Sequence, residues 1–176
     1  MKKLIVLIAA LTAALFIVGC ASTGPSASDK VSDAKSGAPA GALIASGTAS
    51  EGSKEASEKK AKDRAMFAIV KGLTFIAGEL VDDAVSAGKL ASADGTELRQ
   101  NISSALSRSA LNRVVKVDSG VVGKNEAWCV YYLEKADALK EMDQAVNAAK
   151  EKVSARNFNT DGFDAKFRAA AARDWK

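Results

Sequence analysis

Histidine is missing from all 176 residues of this chain, and only two cysteines and two prolines are present. Without histidine there is no Ser-His-Asp or Cys-His arrangement, and the commonest zinc and haem ligand is lacking. Chemistry based on carboxylates alone remains open, but no paired acids stand in a frame that suggests it. Charge of one sign is scarce too. The formal net charge of +4 falls to +2 once Lys2 and Lys3 are set aside, too little for the electrostatic footprint of a nucleic-acid binder.

What the sequence does have begins at its first residues. Lys2 and Lys3 precede an apolar stretch over residues 4–18 interrupted only by Thr12, and Gly19, Cys20, Ala21 and Ser22 follow. A charged start, an apolar middle and a small-residue cut site form an export signal. The run falls just short of the roughly 20 residues a spanning helix needs. Ile17, Val18, Gly19 and Cys20 resemble the bacterial lipobox. That resemblance implies cleavage between Gly19 and Cys20, thioether lipidation of Cys20 and acylation of the new amino terminus. Each buried methylene contributes about 0.8 kcal/mol, so several chains hold where one binds reversibly. Ala21, in place of the Asp that favours inner-membrane retention, points to the outer membrane, periplasmic face. With Cys20 acylated, Cys129 is the remaining thiol and no intramolecular disulfide can form, so packing must supply stability.

Residues 20–40 contain the lipidated cysteine and then a small, polar, aperiodic stretch with both prolines, Pro25 and Pro39; they are expected to form a flexible tether. The pattern changes at Gly41. A short strand is expected over 42–49, then a long helix over 53–85 with Ala61, Ala65, Ile69, Leu73, Ile76, Leu80 and Ala84 on its apolar face, widened by Phe67, Val70, Ala77 and Val81. Asp94 and Glu97 resemble a capping pair opening a second helix with Leu98, Ile102, Ala105 and Leu106. Two β-branched or aromatic runs, 111–118 and 126–133, flank a Gly-rich turn and read as a hairpin. A third helix carries Leu139, Met142, Val146, Ala149 and Val153, and a last segment sets Phe163 and Phe167 one turn apart. The expected organisation is a signal peptide over 1–19, tether over 20–40, an α+β domain over 41–155 and a helical tail over 156–176. Within the domain a small three-stranded antiparallel sheet packs on the long helix, with additional C-terminal helices.

Candidate sites are few. Gly47, Gly52, Ser53 and Lys54 nearly spell a phosphate loop, but the lysine and hydroxyl are in the wrong order, leaving a strand end and a serine helix cap. Glu79, Asp82 and Asp83 share one helical turn and read as a solvated acidic face, so no metal is assigned. Cys129 reads as a buried small hydrophobe. Alternation along 126–133 puts Trp128 and Tyr132 on one face with Val130, and Tyr131 on the other with Cys129 and Leu133. One face should meet the long helix. That leaves Trp128 and Tyr132 as the candidate interaction surface. Lys166, Arg168, Arg173 and Lys176, mixed with Asp164 and Asp174, fit a helix that caps the domain.

A family resemblance rests on three of these features: Ala45, Ser46, Gly47, Thr48 and Ala49; the alanine-spaced helix with Ala56, Ala61, Ala65 and Ala68; and the 126–133 strand before a Lys/Glu helix. Over about residues 41–153 the chain resembles the LPP-twenty lipoproteins, which include FlgP-like outer-membrane lipoproteins of flagellar basal discs. The resemblance implies a three-stranded sheet over a long helix, a shape related to dodecin-like folds, and no enzymatic activity or cofactor. The expected function is a non-enzymatic outer-membrane lipoprotein: a structural or protein-interaction module of the envelope that binds lipid through Cys20 and protein partners or copies of itself. The alternative is a periplasmic lipoprotein that stacks a small ligand on Trp128 and Tyr132.

Overall fold

A computed structural model of the chain describes residues 24–153, 155 and 157–175. The expected signal peptide, Gly19 and Cys20 lie outside the described residues. The architecture is α+β, with a three-stranded antiparallel sheet of order β1-β3-β2 packed on a long helix. In chain order the elements are α1 (Ala27–Lys35), β1 (Leu43–Ser50), α2 (Lys54–Ser86), α3 (Ser92–Ser109), a 3-10 turn (Ala110–Arg113), β2 (Val115–Val122), β3 (Glu126–Leu133), α4 (Lys135–Lys150) and α5 (Phe163–Ala171).

β3 is the centre of the sheet. It pairs with β1 from Leu43↔Leu133 to Ser50↔Glu126, and with β2 from Val115↔Tyr132 to Val122↔Glu126. Its aromatic and β-branched residues suit a strand covered on both faces. β2 starts four residues later than the sequence suggests and runs on to Val122, because residues 110–113 wind into the 3-10 turn. The hairpin turn shrinks to residues 123–125, where Gly123 takes a φ of 58° that favours glycine. A bulge between Lys116 and Asp118 interrupts β2, and both charges are exposed on this edge strand, a combination that discourages pairing with other chains.

α2 has 33 residues, roughly 50 Å of helix at 1.5 Å per residue. Ser53 caps it, its Oγ accepting from the Ala56 amide at 3.2 Å. The first half lies on the sheet through Ala61, Ala65 and Ala68, small enough to let helix and strand backbones approach. The second half enters a helical core in which Leu73, Ile76 and Val81 meet Leu98 and Ile102 of α3, Met142 and Val146 of α4, and Phe163 and Phe167 of α5. α3 begins at Ser92, so Asp94 sits inside the first turn, where its charge still favours the helix amino terminus, instead of standing outside as the cap. On α4, Leu139 is only partly buried, and Val153 joins the core from beyond the helix end.

Two of the expected boundaries shift. Residues 27–35, assigned from sequence to the flexible tether, form helix α1. Ser26 and Asp29 make a capping box: the Asp29 amide donates to Ser26 Oγ at 3.2 Å and the Ser26 amide donates to Asp29 Oδ2 at 3.0 Å. Ala27, Val31 and Ala34 then place an apolar stripe on the sheet. At the other end, the described residues from 157 onward do not stand apart as a tail. Phe158, Phe163, Phe167, Ala170 and Trp175 pack in the same core as Leu43 and Leu73. Trp175 pairs in parallel with Ala45 on the outer edge of β1, donates from Nε1 to the Ala170 carbonyl at 2.8 Å, and meets the Phe75 ring at 5.9 Å.

Candidate interaction surface

The alternation read along β3 is realised, with a different covering element on each face. Cys129, Tyr131 and Leu133 face α2. Trp128 and Val130 lie on the opposite face beneath α1, against Ala27 and Val31, with Ile44, Val117 and Val122 around them. Trp128 retains 7% exposure, and Tyr132 is half-buried. The pair therefore does not form an open surface: α1 of the same chain covers Trp128, and Tyr132 is left half-buried beside it.

Burial also governs Cys129. At 3% exposure its thiol is pushed up to about 11, chiefly because burial disfavours the thiolate. The folded chain thus holds this proton more tightly than the unfolded chain, whose thiol titrates near 9.0. Stability from this group is full below pH 9 and declines as pH rises toward 11. Urea titrations should show that decline in the wild type and a flatter profile in Cys129→Ala; parallel profiles would contradict the burial.

The remaining sequence candidates are structural. Asp82 pairs with Arg99, and Lys166 bridges Glu79 at 3.6 Å and Asp83 at 2.8 Å. The Asp83 hydrogen bond raises the Lys166 ammonium above its usual range. Asp164 pairs with Lys135, so the last helix is tied to α2 and α4, and beyond its end Asp174 pairs with Lys35 of α1 while Arg173 lies 3.9 Å over the Phe75 ring. The stretch resembling a phosphate loop is closed from within: Ser57 Oγ accepts the Glu51 amide at 2.8 Å, and Asn125 Nδ2 donates to the Glu51 and Gly52 carbonyls. Among the described residues no three His, Cys, Asp or Glu side chains cluster as a metal site, and no helix is long and apolar enough to cross a membrane.

The surface that sequence reasoning missed is Phe67. Assigned to the apolar face of the long helix, it is 68% exposed. It borders two grooves. One, of about 530 Å³, runs past Ser46, Gly47 and Thr48 between Ser28 and Val31 of α1 and Arg64 of α2. The other, of about 390 Å³, is lined by Met66, Val70 and Lys62 of α2 and Ser107 of α3. Arg64 donates to the Thr48 carbonyl, protecting the strand edge and fixing its own head group beside the aromatic ring. A further polar pocket of about 260 Å³ lies between Asp83, Lys89, Asn157 and Asp161. Neither Trp128 nor Tyr132 lines any of the three. No family model, curated protein or solved structure matches the chain.

Proposed function

We propose that the protein is an outer-membrane lipoprotein, anchored through acylated Cys20, that works by contact and not by catalysis. The observation that carries this reading is the Phe67 face. A large aromatic side chain standing in water, beside apolar Met66 and Val70 and an open groove, is the kind of patch that marks an association site. The lipobox-like residues 17–20 and the likeness to LPP-twenty lipoproteins support the anchor and the non-enzymatic role. The contact surface moves from Trp128 and Tyr132 to Phe67, because α1 covers Trp128 and Tyr132 is half-buried. That cover also weighs against a ligand stacked on Trp128.

Processing tests the anchor directly. Cys20→Ala should accumulate as uncleaved precursor and take up no labelled palmitate. Cleavage and labelling equal to wild type would defeat the lipoprotein reading.

A further inference from the structure

We propose that the Phe67 face rests on the bilayer that holds the protein's own acyl chains, so that the domain lies on the membrane in one orientation instead of hanging free. This rests on lipidation at Cys20 and names what the contact face touches. The first argument is length. α1 takes residues 27–35 out of the expected tether, leaving seven residue steps from Cys20 to Ala27. Seven residue steps span at most about 25 Å in any conformation. A folded unit of this size is roughly 40 Å across. The tether is thus shorter than the domain it holds, and the side where α1 begins must stay near the lipid.

The second argument is where that short tether ends. Ser28 and Val31, in the first turns of α1, border the same groove as Phe67 and Arg64. α1 and α2 cover opposite faces of the sheet, and this groove beside β1 is where the tethered end of α1 and the exposed aromatic come together. Its surroundings suit a lipid surface: Met66, Phe67 and Val70 form an apolar strip along α2, with Lys62 and Lys71 exposed at its ends, Arg64 alongside and Asp63 among them. Apolar side chains rimmed by lysine and arginine are how a helix settles at the headgroup boundary of an anionic bilayer. A protein partner at this face would have to fit beneath a domain held close to the membrane.

The test uses the acylated mature chain carrying Phe67→Trp, reconstituted in vesicles of phosphatidylethanolamine with a minority of phosphatidylglycerol. A fraction of the lipid is brominated high on its acyl chains. Trp128 and Trp175 are buried, so wild type gives the background. Emission from position 67 should be roughly halved by brominated lipid, as expected for a ring about 5–10 Å into the boundary region, and shielded from acrylamide. Emission that stays open to acrylamide in vesicles, or that is shielded without vesicles as protein concentration rises, would overturn the proposal; the second result would assign the face to another copy of the chain. Mass analysis of the amino-terminal peptide separates the two failures. An acylated chain without quenching defeats only the orientation, whereas an unacylated chain defeats the anchor itself.

Discussion

Replacing Leu73 and Ile76 together with alanine is expected to leave the chain largely unfolded at room temperature. Both side chains have no exposure and lie midway along α2, where the sheet layer gives way to the helical core. Each truncation of this kind removes about 2–5 kcal/mol. A domain of this size holds only about 5–15 kcal/mol in all. The two residues share neighbours, so their effects need not add, but even a partial sum approaches the total. Circular dichroism during urea unfolding gives the measurement. Phe67→Ala, on the same helix but in water, is the control and should shift stability by no more than about 0.5 kcal/mol. A double mutant that unfolds at nearly the wild-type urea concentration would mean this stretch of α2 is not core.

Gly47→Ala should also be costly, although it adds a single methyl. A Cβ at this position would stand 1.9 Å from the Ala61 carbonyl oxygen and 2.9 Å from the Ala65 nitrogen, both backbone atoms of α2. No side-chain rotation can relieve that contact. Strand and helix must separate, at about 1–3 kcal/mol or more for overpacking. Gly52→Ala, where nothing lies within 4 Å of the added carbon, should be close to neutral. If the two variants unfold at the same denaturant concentration, β1 and α2 do not approach as described. The same closeness explains why residues 45, 47 and 49 of β1 and 61, 65 and 68 of α2 are all Ala or Gly: the interface has room for backbone and little else.

The fold class could be read from the sequence because its strongest signals are long or dense. Thirty-three residues of helical periodicity and an unbroken aromatic strand leave few alternatives for α2 and β3. What escaped was short. α1 is nine residues of mostly polar and small side chains, with Ala27, Val31 and Ala34 as its apolar stripe and the Ser26–Asp29 pair as its local signal. Without α1 the faces of β3 could be sorted but not what covers them, and Trp128 looked available. Phe67 misled for the opposite reason. Periodicity draws a wide apolar stripe on α2, but at about 100° per residue Phe67 stands roughly 200° round from buried Ala65, on the flank turned away from the sheet, and so projects into water. Glu141 belongs to neither pattern. It is a buried acid on α4, neutralised by Arg113 at 2.7 Å from the 3-10 turn, a pairing that only tertiary structure reveals.

The seat of Trp175 against Ala45 also sets a timetable. β1 stands near the start of the described elements, yet its outer neighbour lies 130 positions further along the sequence. Until that contact forms, Leu43, Gly72 and Phe75 lack the indole that packs near them. Such distant pairing slows closure, because the loop must be drawn in before the contact returns anything. The sheet therefore stays unfinished until this long-range contact closes.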